Sequence, residues 1–385
     1  MLAAYFVKID ATDNHNRYYK MSQNSPNSFQ VEIGRVGVRP VVKTYALSAW
    51  DGLYQKKIKE GYVERTDLSL PSSSQTYAEI QDPLVRDLIC FLQKESNMAI
   101  KENYNISFLE VTEAMITEAE NLLSRFSNDM EEDNALLCQL FAVIPRKMKD
   151  VKENLIKSPE DIYKVLQREQ ELLDTLRTKV QTSKGNPQKT LLESWDTSII
   201  PVTSEKELEQ IKKFMKQNSC QFVRAFRVRN KKKDDAFWKI YERKGYAKDD
   251  IHYYYHGSRN MNCLSILKNG LVLNPKAPRT GSMFGHGIYL APKAQKSIGY
   301  TSLQGSHWAN GNSDRAYLFV MKCAYQNPLH IYQWSPEMSQ YTQKKIAPHD
   351  AVYAHAGVSL FNDEIVIFND AQATLQYIIE LEERK

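Results

Sequence analysis

Three short stretches hold most of the side chains that could do chemistry together. The first is Tyr253-Tyr254-Tyr255-His256-Gly257-Ser258-Arg259. The second starts at Gly281-Ser282-Met283-Phe284-Gly285-His286-Gly287-Ile288-Tyr289-Leu290-Ala291 and ends at Lys296-Ser297-Ile298-Gly299-Tyr300. The third is Asn362-Asp363-Glu364-Ile365-Val366-Ile367-Phe368. A strand ending at His256-Gly257 presents a peptide unit with no Cβ in the way, so a flat ligand can approach closely. One peptide unit supplies a donor and an acceptor, the pair a primary carboxamide needs, and the Ser297 hydroxyl can add a second donor. Tyr289 and Tyr300 can enclose a flat ring. Glu364, at a strand start, can stabilise a cationic sugar and accept from its 2′-hydroxyl. Each residue also has a plain structural reading. His256 can be a strand-end histidine with satisfied bonds, the tyrosines core aromatics, and Glu364 a solvated edge carboxylate. Ser297 can also be a helix cap, and its two roles are compatible.

The elements that must position these groups belong to a long chain. Its 385 residues suit two or three domains, and the 42% hydrophobic content excludes a wholly disordered chain. No apolar run approaches a membrane span and Met1 leads into no signal-like segment, so a soluble, intracellular protein without a membrane partner is expected. Five cysteines with no CxxC pair argue against a disulfide framework or a cysteine zinc finger; they read as small buried hydrophobes. The net charge of +5 is uneven: +3 over 1–76, −6 over 77–185 and +8 over 186–385. This balance is compatible with an anionic partner and does not require one.

The charge steps coincide with changes in pattern. Residues 1–76 read as a β-rich module, with strands at Ala4–Ile9, Ser28–Gly34 and Val38–Tyr45, a turn at Asp13–Asn16, and a helix at Leu47–Lys59. Leu70–Gln75 reads as a linker. Residues 77–185 read as a helical bundle. Asp82-Pro83 opens one helix, Val111 to Phe126 mark a second, and Ser158-Pro159 opens a third. Residues 190–385 are mixed. Ser204 to Glu207 form a capping box, and strands are clearest at His252–Tyr255, Tyr317–Cys323 and Glu364–Phe368. Arg229–Lys233 reads as a solvated loop, with contact to DNA or a polymer as the alternative. Lys56, Lys57 and Lys59 form either a phosphate-contacting or a plain exposed face.

From about Val202 to Leu381 the chain resembles the catalytic domain of the poly(ADP-ribose) polymerases, ADP-ribosyltransferases with a His-Tyr-Glu signature. HGSR, MFGxGIYxA, KS-x-x-Y and a late Glu-Ile-Val strand followed by Ala371-Gln372 occur in the family's order. The resemblance implies a multidomain α+β protein: a β-rich WGR-like module, an α-helical regulatory bundle, and a mixed α/β transferase domain with antiparallel-rich sheets. It implies NAD+ as substrate and no metal. His256, Tyr289 and Glu364 would be the catalytic set. Gly257 and Ser297 would hold the nicotinamide carboxamide, with Tyr300 and Tyr289 on either side of the ring. His256 would bind the adenine-side ribose, with Ser258 and Asn262 nearby. Met283 and Lys296 would line the acceptor site, and Glu364 would bind the nicotinamide ribose and polarise the acceptor.

The upstream segments resemble the family's DNA-dependent members. Ile33-Gly34-Arg35-Val36-Gly37 stands where a WGR motif would be, with isoleucine for tryptophan, and leaves Arg35 for a phosphate at a DNA end. Phe141-Ala142-Val143-Ile144-Pro145 matches a signature of the helical domain, with Arg146 in place of the usual histidine. The implied partners are DNA ends with a 5′-phosphate and acceptor proteins, including the protein itself. The implied compartment is the nucleus in a eukaryote, or the cytoplasm and nucleoid in a bacterium. Val272 replaces a frequent arginine near the adenosine, and Tyr341–Asn362 lacks the family's glycine-rich acceptor-side sequence. A mono-ADP-ribosyltransferase and a DNA-binding scaffold with a degenerate catalytic domain therefore stand as alternatives.

Overall fold

The computed structural model describes residues 2–65, 76–104, 111–183, 185–215, 220–273 and 283–383. The expected linker at Leu70–Gln75 and the pair Gly281-Ser282 lie outside them. The chain divides into two compact units. Residues 2–65, 97–104 and 111–183 form the first unit; residues 76–96, 185–273 and 283–383 form the second.

In the first unit, β1 (Ala3–Asp10), β2 (His15–Ser25), β3 (Ser28–Arg35) and β4 (Val41–Ala46) form an antiparallel meander, and β5 (Val63–Glu64) closes the other edge beside β1. Phe6, Tyr19, Met21, Phe29 and Val31 face one side and are buried with Trp50 of α1 (Trp50–Lys59). Strand β2 was not expected, because His15 and Asn16 read as turn residues; they already pair with Asp10 and Ile9. Ile58 of α1 is exposed. Lys57 leaves the expected basic face, lying over the Tyr19 and Tyr62 rings at 4.5 and 5.0 Å.

Helices α2 (Pro83–Asn103), α3 (Glu113–Leu123), α4 (Met130–Val143) and α5 (Ile162–Thr182) follow. Asp82 Oδ1 accepts from the Leu84 and Val85 amides at 2.9 and 3.0 Å, as a cap before a first-turn proline should. Thr112 caps α3 and Asp129 caps α4. Val111, Met115, Ala119, Leu122 and Phe126 are all buried. Arg146 is buried too. Its guanidinium pairs with the buried Glu169 and donates to Asn103 Oδ1 at 2.6 Å. Arginine here is thus a core ion pair, which needs a partner on each side to offset desolvation.

The second unit holds two sheets. One has the order β6 (Thr197–Pro201), β7 (Cys220–Asn230), β14 (Ala373–Glu383), β10 (Arg315–Ala324), β8 (Ile251–Gly257). The other has the order β11 (Pro328–Ile331), β12 (Ala351–Ala354), β13 (Glu364–Ile367), β9 (Ile288–Leu290). All pairings are antiparallel except β11 with β12. Between the sheets lie Tyr317, Phe319, Ile365, Ile367 and Ile378, with Leu88 and Leu92 of α2 in the same core. The helices of this unit are α6 (Glu205–Phe214), α7 (Lys231–Lys244), α8 (Cys263–Asn269) and α9 (Ala294–Ile298).

Two local expectations fail here. Ser204 is the N-cap of α6 but its side chain makes no capping bond. Glu207 turns away to accept from Arg227 and Tyr377, both at 2.6 Å, so a charge-assisted tertiary pair outcompetes the local box. Arg229–Lys233 is no loop: Arg229 and Asn230 end β7, and Lys231–Lys233 open α7 with Asn230 as cap. Cys220, Cys263 and Cys323 are buried as expected, whereas Cys90 is exposed.

Candidate active site

The two sheets of the second unit are stitched where β8 ends. Tyr255 and Ala291 exchange backbone hydrogen bonds of 2.8 and 2.9 Å. This bridge brings His256 beside β9, and its Nδ1 lies 3.2 Å from the Tyr289 carbonyl oxygen. On β9, Tyr289 pairs with Val366 of β13. Glu364 stands two residues earlier on β13, so it shares that face. The register of the four-stranded sheet thus sets Tyr289 and Glu364 on one face, and the Tyr255–Ala291 bridge brings in His256 from the five-stranded sheet.

Helix α9 completes the arrangement. Lys296 Nζ lies 2.7 Å from Glu364 Oε1, and both side chains are mostly buried. Ser297, one residue on, is buried inside α9, whose N-cap is Lys293. The helix-cap reading of Ser297 is therefore wrong. Gly257 faces the backbone of Ser297 so closely that an added Cβ would stand 1.7 Å from its carbonyl oxygen. Only glycine fits there. The Tyr289 hydroxyl accepts from the Phe284 amide at 3.0 Å and donates to the Gly285 carbonyl at 2.8 Å, which pins the turn that follows Met283. Gly285 has a φ of +77° and abuts the Tyr341 backbone. Met283 packs against the cluster of Phe284, Ile331 and Val366, and its carbonyl accepts from the Trp334 indole at 2.6 Å.

Tyr300 is partly exposed, and its ring lies nearly parallel to that of Trp308, 6.1 Å away. Trp308 donates its backbone amide to the Gly299 carbonyl at 2.9 Å. Sequence reasoning missed this tryptophan because it lies eight positions past the motif. Asn262 is buried and donates to Ser258 Oγ at 3.1 Å. Its Oδ1 is buried without a hydrogen-bond partner among the described residues. A buried acceptor left unpaired costs stability unless a ligand satisfies it; a ribose hydroxyl is such a donor. Val272 is half exposed and brings no charge.

Gln372, quoted above as part of a motif, is structural. Its amide donates to the Ala324 and Asp350 carbonyls at 3.2 and 3.0 Å. Asp350 in turn accepts from Tyr246 at 2.9 Å and from the Gln326 and Asn327 amides. Sequence reasoning also passed over Glu380. It is buried beside Arg315 (3.0 Å) and Arg224 (3.4 Å). Burial raises its pKa, and the two guanidinium groups pull it back down. The expected acceptor-side stretch contains β12 and a loop that leaves Val358 and Phe361 exposed; Asp363 accepts from Tyr353 at 3.1 Å and from the Ala356 amide at 2.7 Å.

Arg35 lies in the first unit. Its Nε donates to the Met148 carbonyl at 3.0 Å, and its terminal nitrogens donate to Asn14 O, Asn14 Oδ1 and Lys149 O at 2.8, 2.9 and 2.6 Å. Four of its five N–H groups are thus committed within the protein. These bonds clasp the Met148 and Lys149 carbonyls to the β1–β2 turn, and Asn14 Oδ1 extends the clasp to the Val151 amide.

The family model for the poly(ADP-ribose) polymerase catalytic domain matches residues 203–383. Those residues make up most of the second unit and contain every site residue described above except Arg35. The class is an NAD+-dependent ADP-ribosyltransferase. Protein 101L of Invertebrate iridescent virus 6 is 30% identical over 174 residues, covering 44% of this chain and 74% of the viral one. Poly [ADP-ribose] polymerase 2 of Caenorhabditis elegans is 28% identical over 33% of this chain and 26% of its own. Poly [ADP-ribose] polymerase 2 of Zea mays is 22% identical over 75% of this chain and 53% of its own. This chain belongs to the poly(ADP-ribose) polymerase family. It spans about a quarter to a half of these two named polymerases. Among the described residues no helix is long and apolar enough to cross a membrane.

Proposed function

We propose that the protein cleaves the bond between nicotinamide and ribose in NAD+, releases nicotinamide, and transfers ADP-ribose to protein side chains, its own included. The observation that carries this reading is the convergence of His256, Tyr289, Glu364 and Lys296 at the stitch between the two sheets. The Gly257 peptide unit takes the carboxamide, Ser297 assists, and Tyr300 and Tyr289 enclose the ring. Ser258 and Asn262 take the adenine-side ribose with His256. As the bond to nicotinamide breaks, the ribose gains positive charge; Glu364 stabilises that charge and accepts from the 2′-hydroxyl. The electron pair of the broken bond leaves with nicotinamide. The acceptor oxygen or nitrogen attacks the vacant carbon, and its proton passes to Glu364 or to solvent. Lys296 keeps the carboxylate oriented toward that carbon. This chemistry requires aimed charge, and the residues named supply it without a metal.

The reaction repeats on its own product, giving a polymer. DNA ends switch it on, through the first unit. Two observations support this regulation: the maize match covers three quarters of the chain and so extends before residue 203, and in the first unit Arg35 couples the five-stranded module to the segment that joins α4 to α5. With Arg35 committed internally, exposed cations such as Arg39 and Lys43 carry the contact to phosphate. The site of action is the nucleus in a eukaryote or the nucleoid in a bacterium. A single-transfer enzyme is the second reading, favoured by β12 and its loop in place of a glycine-rich acceptor stretch.

Nicotinamide release from NAD+ by the full chain, with and without a short 5′-phosphorylated duplex, tests both levels. Release that rises with the duplex supports enzyme and switch. Equal release in both removes the switch. Release in neither removes the transferase. The length of the product on a gel separates polymer from single transfer.

A further inference from the structure

We propose that the β1–β2 turn of the first unit binds a divalent first-row transition cation through the carboxylates of Asp10 and Asp13 and the imidazole of His15. One ligand atom from each residue lies within 4.8 Å of the other two. Asp10 and His15 are directly paired across the two strands, so their side chains project on the same face, and Asp13 comes from the turn between them. The set is mixed in type: two oxygen donors and one imidazole nitrogen. This suits Mn2+, Co2+ or Zn2+ better than Ca2+, which takes oxygen ligands alone.

A second observation points the same way. His15 Nδ1 is buried and has no hydrogen-bond partner among the described residues. No ion pair of 4.0 Å or less joins His15 to either carboxylate among the described residues, so the imidazole lies close to two negative groups without bonding to them. An ion would take one imidazole nitrogen as ligand and neutralise the two carboxylates together. Asp10 uses Oδ1 to accept from the Thr12 and Asp13 amides, at 2.8 and 3.4 Å; no described bond uses Oδ2. Ligand atoms about 2.0–2.2 Å from a common ion lie closer together than 4.8 Å. The turn must therefore tighten slightly, and its one internal backbone bond, from the Asn14 amide to the Ala11 carbonyl, is long at 3.4 Å. Three protein ligands leave the remaining positions to water.

The same turn carries Asn14, whose Oδ1 accepts from Arg35 at 2.9 Å and from the Val151 amide at 3.0 Å. A bound ion fixes the turn and with it the clasp on residues 148–151. This inference does not rest on the transferase reading, and its test needs no NAD+.

The full chain, freed of metal by dialysis against a chelator, is titrated with MnCl2, and free Mn2+ is read by electron paramagnetic resonance. Mn2+ is used because the five cysteines are poor ligands for it. We expect one equivalent bound, lost in Asp13→Asn and in His15→Gln. Asp13 is exposed in the turn and His15 is half-buried at the start of β2, so a circular dichroism spectrum unchanged in either variant is required to confirm folding. Mn2+ bound equally by the variants, or by none of the proteins, overturns the site. Hydrogen exchange at the amides of residues 146–151 should slow on adding Mn2+ to the wild type alone. Unchanged exchange overturns the coupling to the clasp.

Discussion

Lys296 Nζ and Glu364 Oε1 stand 2.7 Å apart with both side chains mostly buried, so the carboxylate at the centre of the site is held by a cation on the helix next to the Gly257 backbone. Removing one member of a buried pair leaves the other charge uncompensated. Glu364→Gln should therefore lower the rate of nicotinamide release by about a hundredfold or more, as loss of an aimed charge does elsewhere. Lys296→Met should lower kcat about tenfold or more with a smaller change in KM, because it disorients the carboxylate without removing it. Steady-state kinetics with purified protein checks both, and a Glu364→Gln protein that modified itself at the normal rate would contradict the assignment.

Gly257 admits no side chain. A methyl group there would overlap the Ser297 carbonyl oxygen, and the neighbour is backbone, which cannot swing aside. Gly257→Ala should cost more than about 2 kcal/mol of stability in the second unit by overpacking. It should also weaken NAD+ binding, because the peptide unit expected to hold the carboxamide is displaced. A thermal melt and a calorimetric titration with NAD+ measure the two effects. A melting temperature equal to that of the wild type would show that the contact is looser than described.

Arg35→Ala should act inside the protein. It removes four hydrogen bonds, two to the Met148 and Lys149 carbonyls and two to Asn14 of the β1–β2 turn, by which Arg35 bridges the two. Amide exchange over residues 146–151 should accelerate by at least an order of magnitude, in line with roughly 1 kcal/mol or more per charge-assisted bond. The salt dependence of binding to a DNA duplex should keep its slope. A slope reduced by about one, with unchanged exchange, would return Arg35 to the role of phosphate ligand.

Lys179 of α5 is buried, and that burial pulls its pKa down from 10.5 to about 8. The folded state thus disfavours the charged form. Between pH 8 and 10 the unfolded chain holds more protons at this position than the native one, so its contribution to stability rises with pH through that window. Below pH 8 the full penalty applies, on the order of 3 kcal/mol. Lys179→Met should raise stability at pH 7 and remove the slope. The comparison must be the difference between the two proteins, because burial raises the pKa of the Cys263 and Cys323 thiols, which act in the opposite sense. Urea unfolding at pH 7, 8, 9 and 10 gives that difference, and parallel curves would refute it.

The sequence by itself determined what depends on neighbours in the chain. Asp82 caps α2 because Pro83 follows it, and the α3 face of Met115, Ala119 and Leu122 is buried because its period matches a helix turn. The order of HGSR, MFGxGIYxA and the late Glu-Ile-Val strand pointed to the family and named the candidate site residues. Only the tertiary structure decided how those residues meet. Strand β14 escaped notice because it lies between β7 and β10 with both faces covered, and a strand buried on both sides has no alternating pattern to read. Glu207 could have closed a capping box, but Arg227 and Tyr377 on distant strands hold it more strongly. Arg35 stands at a motif position that suggested a phosphate, yet carbonyls more than a hundred residues away take its donors. Local spacing sets which bonds a side chain can make with its own segment. Which of them it keeps depends on competitors that arrive only when the chain has folded.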